Sequence, residues 1–220
     1  MPKTILGIDE AGRGPVIGPL VIAGAMIKTE NIHKLQELGV KDSKLLTPKR
    51  REYLFEKIIK TVDSYRIIVV QPKEIDMAVE SPELNLNGLE ALKSAEIIAA
   101  LNPDEAILDC PSTNTKAYTA TIKQLLSEKA KNINIICEHK ADLNYPIVSA
   151  ASILAKVTRD GLIEDLKKQV KIDFGSGYPS DPKTVAFLKR YWNDYGFFRK
   201  SWSSWKRIAN QKNQKTLGSW

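Results

Sequence analysis

Two adjacent carboxylates, Asp9 and Glu10, close a short apolar run at residues 5–8 near the start of a 220-residue chain. The run reads as a buried strand, and the Gly12-Arg13-Gly14-Pro15 segment after it is too rich in Gly and Pro to continue as helix or regular strand. Two more acids follow apolar stretches: Asp109 ends the run at 106–108, and Asp142 lies just beyond a strand expected over 132–137. Side chains alternate faces along a strand, so Asp9 and Glu10 diverge unless the glycines bend the chain. Acids at the end of an apolar strand are costly without a counter-charge, and a bound cation supplies one. Open α/β sheets gather ligand sites at strand ends, where four converging carboxylates would repel strongly without divalent cations among them. Oxygen-only donors favour Mg2+ or Mn2+ over Zn2+, and no Cys/His cluster has zinc spacing. Mg2+ keeps few protein carboxylates and takes phosphate and water besides, which points to phosphate chemistry. A pair of such ions would lower the pKa of an attacking water and stabilise the charge on a leaving oxygen. Read singly, Asp109 and Asp142 fit ordinary exposed loop acids better than ligands.

The elements that must position these acids follow from periodicity and breakers. Strands are expected at 5–8, 16–27, 65–70, 106–108 and 132–137. Thr47-Pro48 gives a helix N-cap with Pro at the first helical position, and apolar residues at 54, 55, 58, 59 and 62 continue one face. Further helices are expected from Pro72, over 86–101 before Asn102-Pro103, over 115–129, and over 146–170 with Gly161 a weak point. From 174 onward Gly, Ser, Pro and aromatics dominate around short helices near 182–194 and 203–209. The last ten residues, QKNQKTLGSW, are polar and read as flexible. Strands followed by helix–strand units indicate an α/β fold. The expected organisation is a catalytic domain at 1–172, a helical C-terminal region at 173–210 and a flexible tail at 211–220.

Composition bounds the partners. There are 33 basic and 26 acidic residues, a net charge of +7. That excess suits a polyanionic partner and a merely soluble basic protein equally. Two cysteines, Cys110 and Cys137, give no disulfide framework, so reduced thiols are expected. The opening MPKTILGIDE lacks the long apolar core of a signal peptide. The most apolar stretch, 16–27, is too short to span a membrane and is interrupted by Gly18, Pro19 and Gly24. A cytoplasmic monomer with no membrane association is expected.

Five segments, in order, resemble the signatures of the type 2 ribonuclease H family. They are ILGIDEAGRGPVIGPL at 5–20, KDSK at 41–44, EAILD at 105–109, HKADLNYPIVSAASILAK at 139–156 and GSGYPSDP at 175–182. The resemblance implies a ribonuclease H-like fold, a mixed five-stranded sheet flanked by helices, with a small helical C-terminal portion. It implies an endonuclease that hydrolyses the RNA strand of RNA/DNA hybrids and leaves 5′-phosphate and 3′-hydroxyl ends. Asp9 would bridge two metal ions, with Glu10, Asp109 and Asp142 completing the sites.

In that family the segment Gly12-Arg13-Gly14 reads the 2′-hydroxyl of the ribonucleotide at the cut. The physical reason is that small residues let backbone amides approach a ribose closely. Tyr178 would sense the junction where RNA gives way to DNA, by stacking and through its hydroxyl. The cut would then fall 5′ of the last ribonucleotide, and duplex DNA carrying a single ribonucleotide would be a substrate. Lys44, Lys156 and Arg159 are candidate phosphate contacts. His139 needs no catalytic part, and Trp192, Trp202 and Trp205 are expected to pack the C-terminal helices.

Three other readings compete. Type 3 ribonuclease H carries an additional domain before its first motif and typically a Glu as fourth acid, whereas eight residues precede Asp9 here and the fourth acid is Asp142. A junction resolvase or integrase would share the acids but gives no reason for the Gly-Arg-Gly segment. A non-catalytic hybrid-binding module gains nothing from carboxylates facing phosphates. Finally, Gln214, Leu217 and Trp220, three apart, resemble a sliding-clamp-binding box that lacks its second aromatic. A 3₁₀ turn there would stack Leu217 and Trp220 on one face.

Overall fold

The computed structural model describes residues 3–40, 46–127, 130 and 132–217, with backbone alone for 215–217. Five strands, β1 (Thr4–Ala11), β2 (Leu20–Lys28), β3 (Ser64–Val70), β4 (Glu105–Asp109) and β5 (Asn134–Glu138), form one mixed sheet in the order β3-β2-β1-β4-β5. β1 runs antiparallel to β2 and parallel to β4, which is parallel to β5. Ile8 pairs with Leu108, so the next residues, Asp9 and Asp109, end up side by side at the carboxyl ends of neighbouring parallel strands.

The helices are α1 (Ile32–Leu38), α2 (Pro48–Thr61), α3 (Pro72–Glu80), α4 (Leu86–Leu101), α5 (Thr115–Leu125), α6 (Ala141–Asn144), α7 (Pro146–Val170), α8 (Pro182–Tyr191) and α9 (Ser203–Leu217). Their starts follow local chemistry. The Thr47 hydroxyl accepts from Arg50 N with Pro48 behind it, and Asn114 accepts from Ala117 N at the head of α5. This is the mixed five-stranded sheet flanked by helices that the motifs imply.

The chain divides into two compact units. The first comprises Met1–Ala11, Val21–Val69 and Asn87–Thr158. Its core joins Leu6 and Ile8 of β1, Ile107 and Leu108 of β4, Ile97 and Ile98 of α4, and Ile147, Val148 and Leu154 of α7. Gly7 sets how closely α7 meets β1: a Cβ there would lie 2.4–2.5 Å from the backbone of Ile147 and Val148. The second unit comprises Gly12–Leu20, Val70–Leu86 and Arg159–Trp220. Its core joins Val16, Ile17, Ile163, Phe174, Phe187, Leu188, Phe198 and Ile208, with Phe187 stacked on Tyr195 and Phe197.

Several elements differ from expectation. β2 begins at Leu20, not at 16. Residues 16–18 bond elsewhere: Val16 N donates to Gly177 O, Gly18 N to Phe197 O, and Arg199 N to Val16 O. Gly18 at φ +86° and Pro19 interrupt the ladder there. α5 stops at Leu125, and α1, with Leu35 its one buried residue, has too little apolar periodicity to announce itself. α7 passes straight through Gly161, where a Cβ would meet nothing within 4 Å. α9 continues past 209 to Leu217, seven residues into the stretch expected as a flexible tail. Among the described residues no helix is long and apolar enough to cross a membrane. Cys110 and Cys137 are buried free thiols.

Candidate functional site

In the first unit, Asp9, Asp109 and Asp142 each contribute a carboxylate oxygen to a group whose members all lie within 4.8 Å of one another. Parallel pairing of β1 and β4 sets the first two, and α6, entered from β5, supplies the third. The Ala141 amide donates to Asp109 Oδ1 at 3.2 Å, tying the start of α6 to the end of β4. Asp9 and Asp142 are 5% and 2% exposed, so these are not solvated surface acids.

Burial pushes the Asp9 carboxyl up to about 6. A hydrogen bond from Ser152 and the ammonium of Lys156 pull it down, the Asp109 charge pushes it up, and the Glu10 amide, donating to Asp9 Oδ1 at 2.7 Å, favours the anion. Lys156 in turn donates to the Ser152 hydroxyl one turn back on α7. Lys156, expected at a phosphate, is thus half-buried beside an acid and acts as its counter-charge. Three carboxylates, two of them buried, with no His or Cys among them, form a donor set that fits a hard divalent cation.

Glu10 stands apart. β1 runs through Asp9 and Glu10 without a bend, pairing them with Ala23 and Ile22, so their side chains leave on opposite faces. Among the described residues Glu10 is not in the acidic trio. Its charge instead reaches the Tyr118 hydroxyl, which burial, then Glu90, then Glu10 hold above the ordinary tyrosine range, against a hydrogen bond with Ser94.

The second unit holds the Gly12-Arg13-Gly14 segment. Gly12 sits at φ +86°, and a Cβ there would lie 2.5 Å from Arg159 Cδ and Nε and 2.8 Å from Pro19 O. No other residue fits that conformation and that space. A Cβ on Gly14 would lie 3.4 Å from the Tyr178 ring. Arg159, 5% exposed, has its guanidinium 5.3 Å from the centre of that ring and donates from Nη2 to Ser176 O at 3.1 Å. It is therefore the seat of the 176–178 turn more than an outward-facing cation. Asp181 anchors the same turn, accepting from Ser176 N and Oγ, and Gly177 N donates to Thr184 Oγ1. Tyr178 keeps 39% of its surface exposed and Gly14 is exposed. The sequence-selected Gly12, Arg13, Gly14, Arg159 and Tyr178 thus lie around one turn.

Lys44 and Trp220 lie outside the described residues; Gln214 is exposed on α9, and Leu217 ends that helix. His139 Nδ1 donates to the Cys110 carbonyl at 3.3 Å. Trp205 donates to Trp192 O and packs against Trp192 at 5.6 Å, as expected of packing tryptophans. Ser152, Arg199, Trp202 Nε1 and Asp76 were not legible as site residues. Ser152 had a faint signal, its i,i+4 spacing to Lys156 on a predicted helix.

The ribonuclease HII family model matches residues 6–205 of the chain. Ribonuclease HII of Pyrococcus horikoshii is 47% identical over 221 residues, covering 97% of each protein. The crystal structure of the ribonuclease H2 from Pyrococcus horikoshii OT3 superposes with a TM-score of 0.86 at 45% identity, over 96% of this chain and 99% of that one. A chain in the structure of the PCNA:RNase HII complex from Archaeoglobus fulgidus matches with a TM-score of 0.80 at 39% identity, over 91% of this chain and 95% of that one. The matched span includes the positions of the acidic trio and of Tyr178, and the chain belongs to the ribonuclease HII family of hydrolytic endoribonucleases.

Proposed function

We propose that this endoribonuclease, acting on the RNA strand of RNA/DNA hybrids, cuts 5′ of the last ribonucleotide at an RNA–DNA junction and 5′ of a single ribonucleotide in duplex DNA. The products carry 5′-phosphate and 3′-hydroxyl ends. The observation that carries this reading is the convergence of Asp9, Asp109 and Asp142 within 4.8 Å in a largely buried setting.

Asp9, Asp109 and Asp142 would hold Mg2+ or Mn2+ ions, and Glu10, whose side chain leaves β1 on the other face near Tyr118, would have to turn toward them to serve as the fourth ligand. Bound there, such ions supply activation of the attacking water and neutralisation of charge at the leaving 3′-oxygen. The protein's own groups prepare the site. Ser152 fixes the Asp9 carboxylate through a hydrogen bond, and Lys156 offsets part of the cost of its burial. With its carboxyl at about 6, Asp9 is ionised at neutral pH and ready to act as a ligand. Gly12-Arg13-Gly14 offers backbone amides to the 2′-hydroxyl, and the exposed part of the Tyr178 ring stacks on the sugar beyond the junction. Residues 1–172 carry the chemistry, 173–210 shape the turn around Tyr178, and 211–220, helical as far as Leu217, act as a stiff tether.

The tether would dock on a sliding clamp through Gln214, Leu217 and Trp220. The support is the Archaeoglobus relative, solved in complex with PCNA, and the exposure of Gln214 near the end of α9.

End-mapping of the products tests the cutting reading. A hybrid, a chimeric strand with one RNA–DNA junction and a duplex with one ribonucleotide are each incubated with Mg2+. Cuts one bond 5′ of the terminal ribonucleotide, with 3′-hydroxyl ends, are expected. Cuts on its 3′ side, or cyclic phosphate ends, would contradict it.

A further inference from the structure

Arg199 is fully buried, a costly place for a guanidinium, and the second unit gives it specific work. Its Nη2 donates to Gly12 O at 2.6 Å, its Nη1 to Arg13 O at 2.9 Å and its Nε to Gly18 O at 3.0 Å. Its guanidinium carbon sits 4.9 Å from the centre of the Trp202 ring, and Trp202 Nε1 donates to Gly14 O at 3.1 Å. Three consecutive carbonyls of the Gly-Arg-Gly segment are thereby held from one side.

The turn that carries Arg199 is itself fixed. Asp76 on α3 accepts from Lys200 N at 2.8 Å and from Ser201 N at 2.9 Å, and its carboxylate also takes the Ser201 hydroxyl at 2.5 Å. In a trans peptide the C=O of one residue and the N–H of the next point in opposite directions. Carbonyls of Gly12 and Arg13 directed at Arg199 therefore direct the amides of Arg13 and Gly14 away from it. No peptide bond in the described chain is cis.

We infer that Arg199, braced by Trp202 and Asp76, is the positioning group that sets discrimination between ribose and deoxyribose. It aims the Arg13 and Gly14 amides by consuming the carbonyls behind them. Lysine would keep the charge but could not fork across three carbonyls. This inference rests on the reading of Gly12-Arg13-Gly14 as the ribose-facing segment.

The test compares Arg199→Lys, Trp202→Phe and Asp76→Asn with wild type. Trp202→Phe keeps an aromatic ring but removes the Nε1 donor and part of the indole's packing area, so it remains informative if Arg199→Lys does not fold. The KM for a duplex with one ribonucleotide and the Ki of the same duplex made wholly of DNA are measured in Mg2+, with amide hydrogen exchange at residues 12–14. The expected result is a rise in KM of about tenfold, the size of one lost hydrogen bond, with a smaller change in kcat. Ki should stay within about twofold, because phosphate contacts carry DNA affinity, and exchange at Arg13 and Gly14 should quicken. Equal changes in KM and Ki in the folded variants, or no change in either, would overturn the role of Arg199. Gly14→Ala separates the two readings. Lost discrimination in Gly14→Ala but intact discrimination in Trp202→Phe and Arg199→Lys leaves the loop reading standing and removes Arg199 from it. A wild-type enzyme with no preference for the ribonucleotide duplex removes both.

Discussion

Lys156 reaches Asp9 through Ser152: its ammonium donates to the Ser152 hydroxyl, and that hydroxyl bonds the Asp9 carboxylate. Burial drives the carboxyl up, and this relay together with the Lys156 charge holds it at about 6. Lys156→Met removes the charge and the donor to Ser152. In metal-free protein the Asp9 carboxyl should then titrate above about 6, followed by carbon-13 NMR of the side chain. The acid limb of the pH–rate profile should move upward with it. A titration midpoint unchanged from wild type would mean that Lys156 serves phosphate alone.

Asp9 also makes stability depend on pH in a direction unusual for an aspartate. Its carboxyl is raised from 3.8 to about 6, so between those values the folded protein binds more protons than the unfolded chain. Stability of the metal-free protein should therefore fall as pH rises from about 4 to about 6, by up to ~3 kcal/mol, and stay lower above that. Asp9→Asn escapes this penalty but keeps only one acceptor oxygen for the Ser152 hydroxyl and the Glu10 amide. We predict a net gain of about 1–2 kcal/mol at pH 8 and little or none at pH 4. Urea unfolding in EDTA at both pH values measures it. A variant less stable than wild type at pH 8 would show that burying the Asp9 charge carries no such penalty.

Tyr178 lies against Gly14 and over Arg159, with part of its ring exposed. Tyr178→Ala should cost about tenfold or more at an RNA–DNA junction, in line with ~1–3 kcal/mol for a stacking contact. Cleavage inside a long RNA/DNA hybrid should suffer less. Parallel assays of the two substrates settle the point, and equal losses would remove Tyr178 as a junction sensor.

Trp220→Ala should weaken the binding of the whole protein to the sliding clamp of the same organism. The expected wild-type affinity is around micromolar, near −8 kcal/mol. Calorimetry with the full-length protein reads both numbers. Identical affinity for wild type and variant would place the clamp contact elsewhere.

Much of this architecture is written locally. Pro146 and a long run interrupted only by Gly161 announce α7, Thr47-Pro48 announces α2, and apolar runs ending at Asp9 and Asp109 announce two strands that the sheet then sets side by side. Strand alternation also foretells that Asp9 and Glu10 part company. Other features depend on partners distant in sequence. Val16 looks like strand, yet its amide goes to Gly177 O and its carbonyl takes Arg199 N. Arg199 reads as one more surface cation until its three carbonyl partners, more than 180 residues away, are known. Arg159 likewise resembles a phosphate contact in the sequence and is found buried under Gly12 and Tyr178.

The most direct test of the central claim uses duplex DNA carrying one ribonucleotide, with wild type and Asp9→Asn, each in Mg2+ and in EDTA. Wild type in Mg2+ should cut 5′ of the ribonucleotide, and in EDTA it should not cut. Asp9→Asn, still folded and still binding the duplex, should keep less than about a tenth of the wild-type kcat, a loss of at least ~1.4 kcal/mol of transition-state stabilisation. Cleavage that persists in EDTA, or an Asp9→Asn protein above that level, would contradict catalysis by metal ions held on this acidic trio.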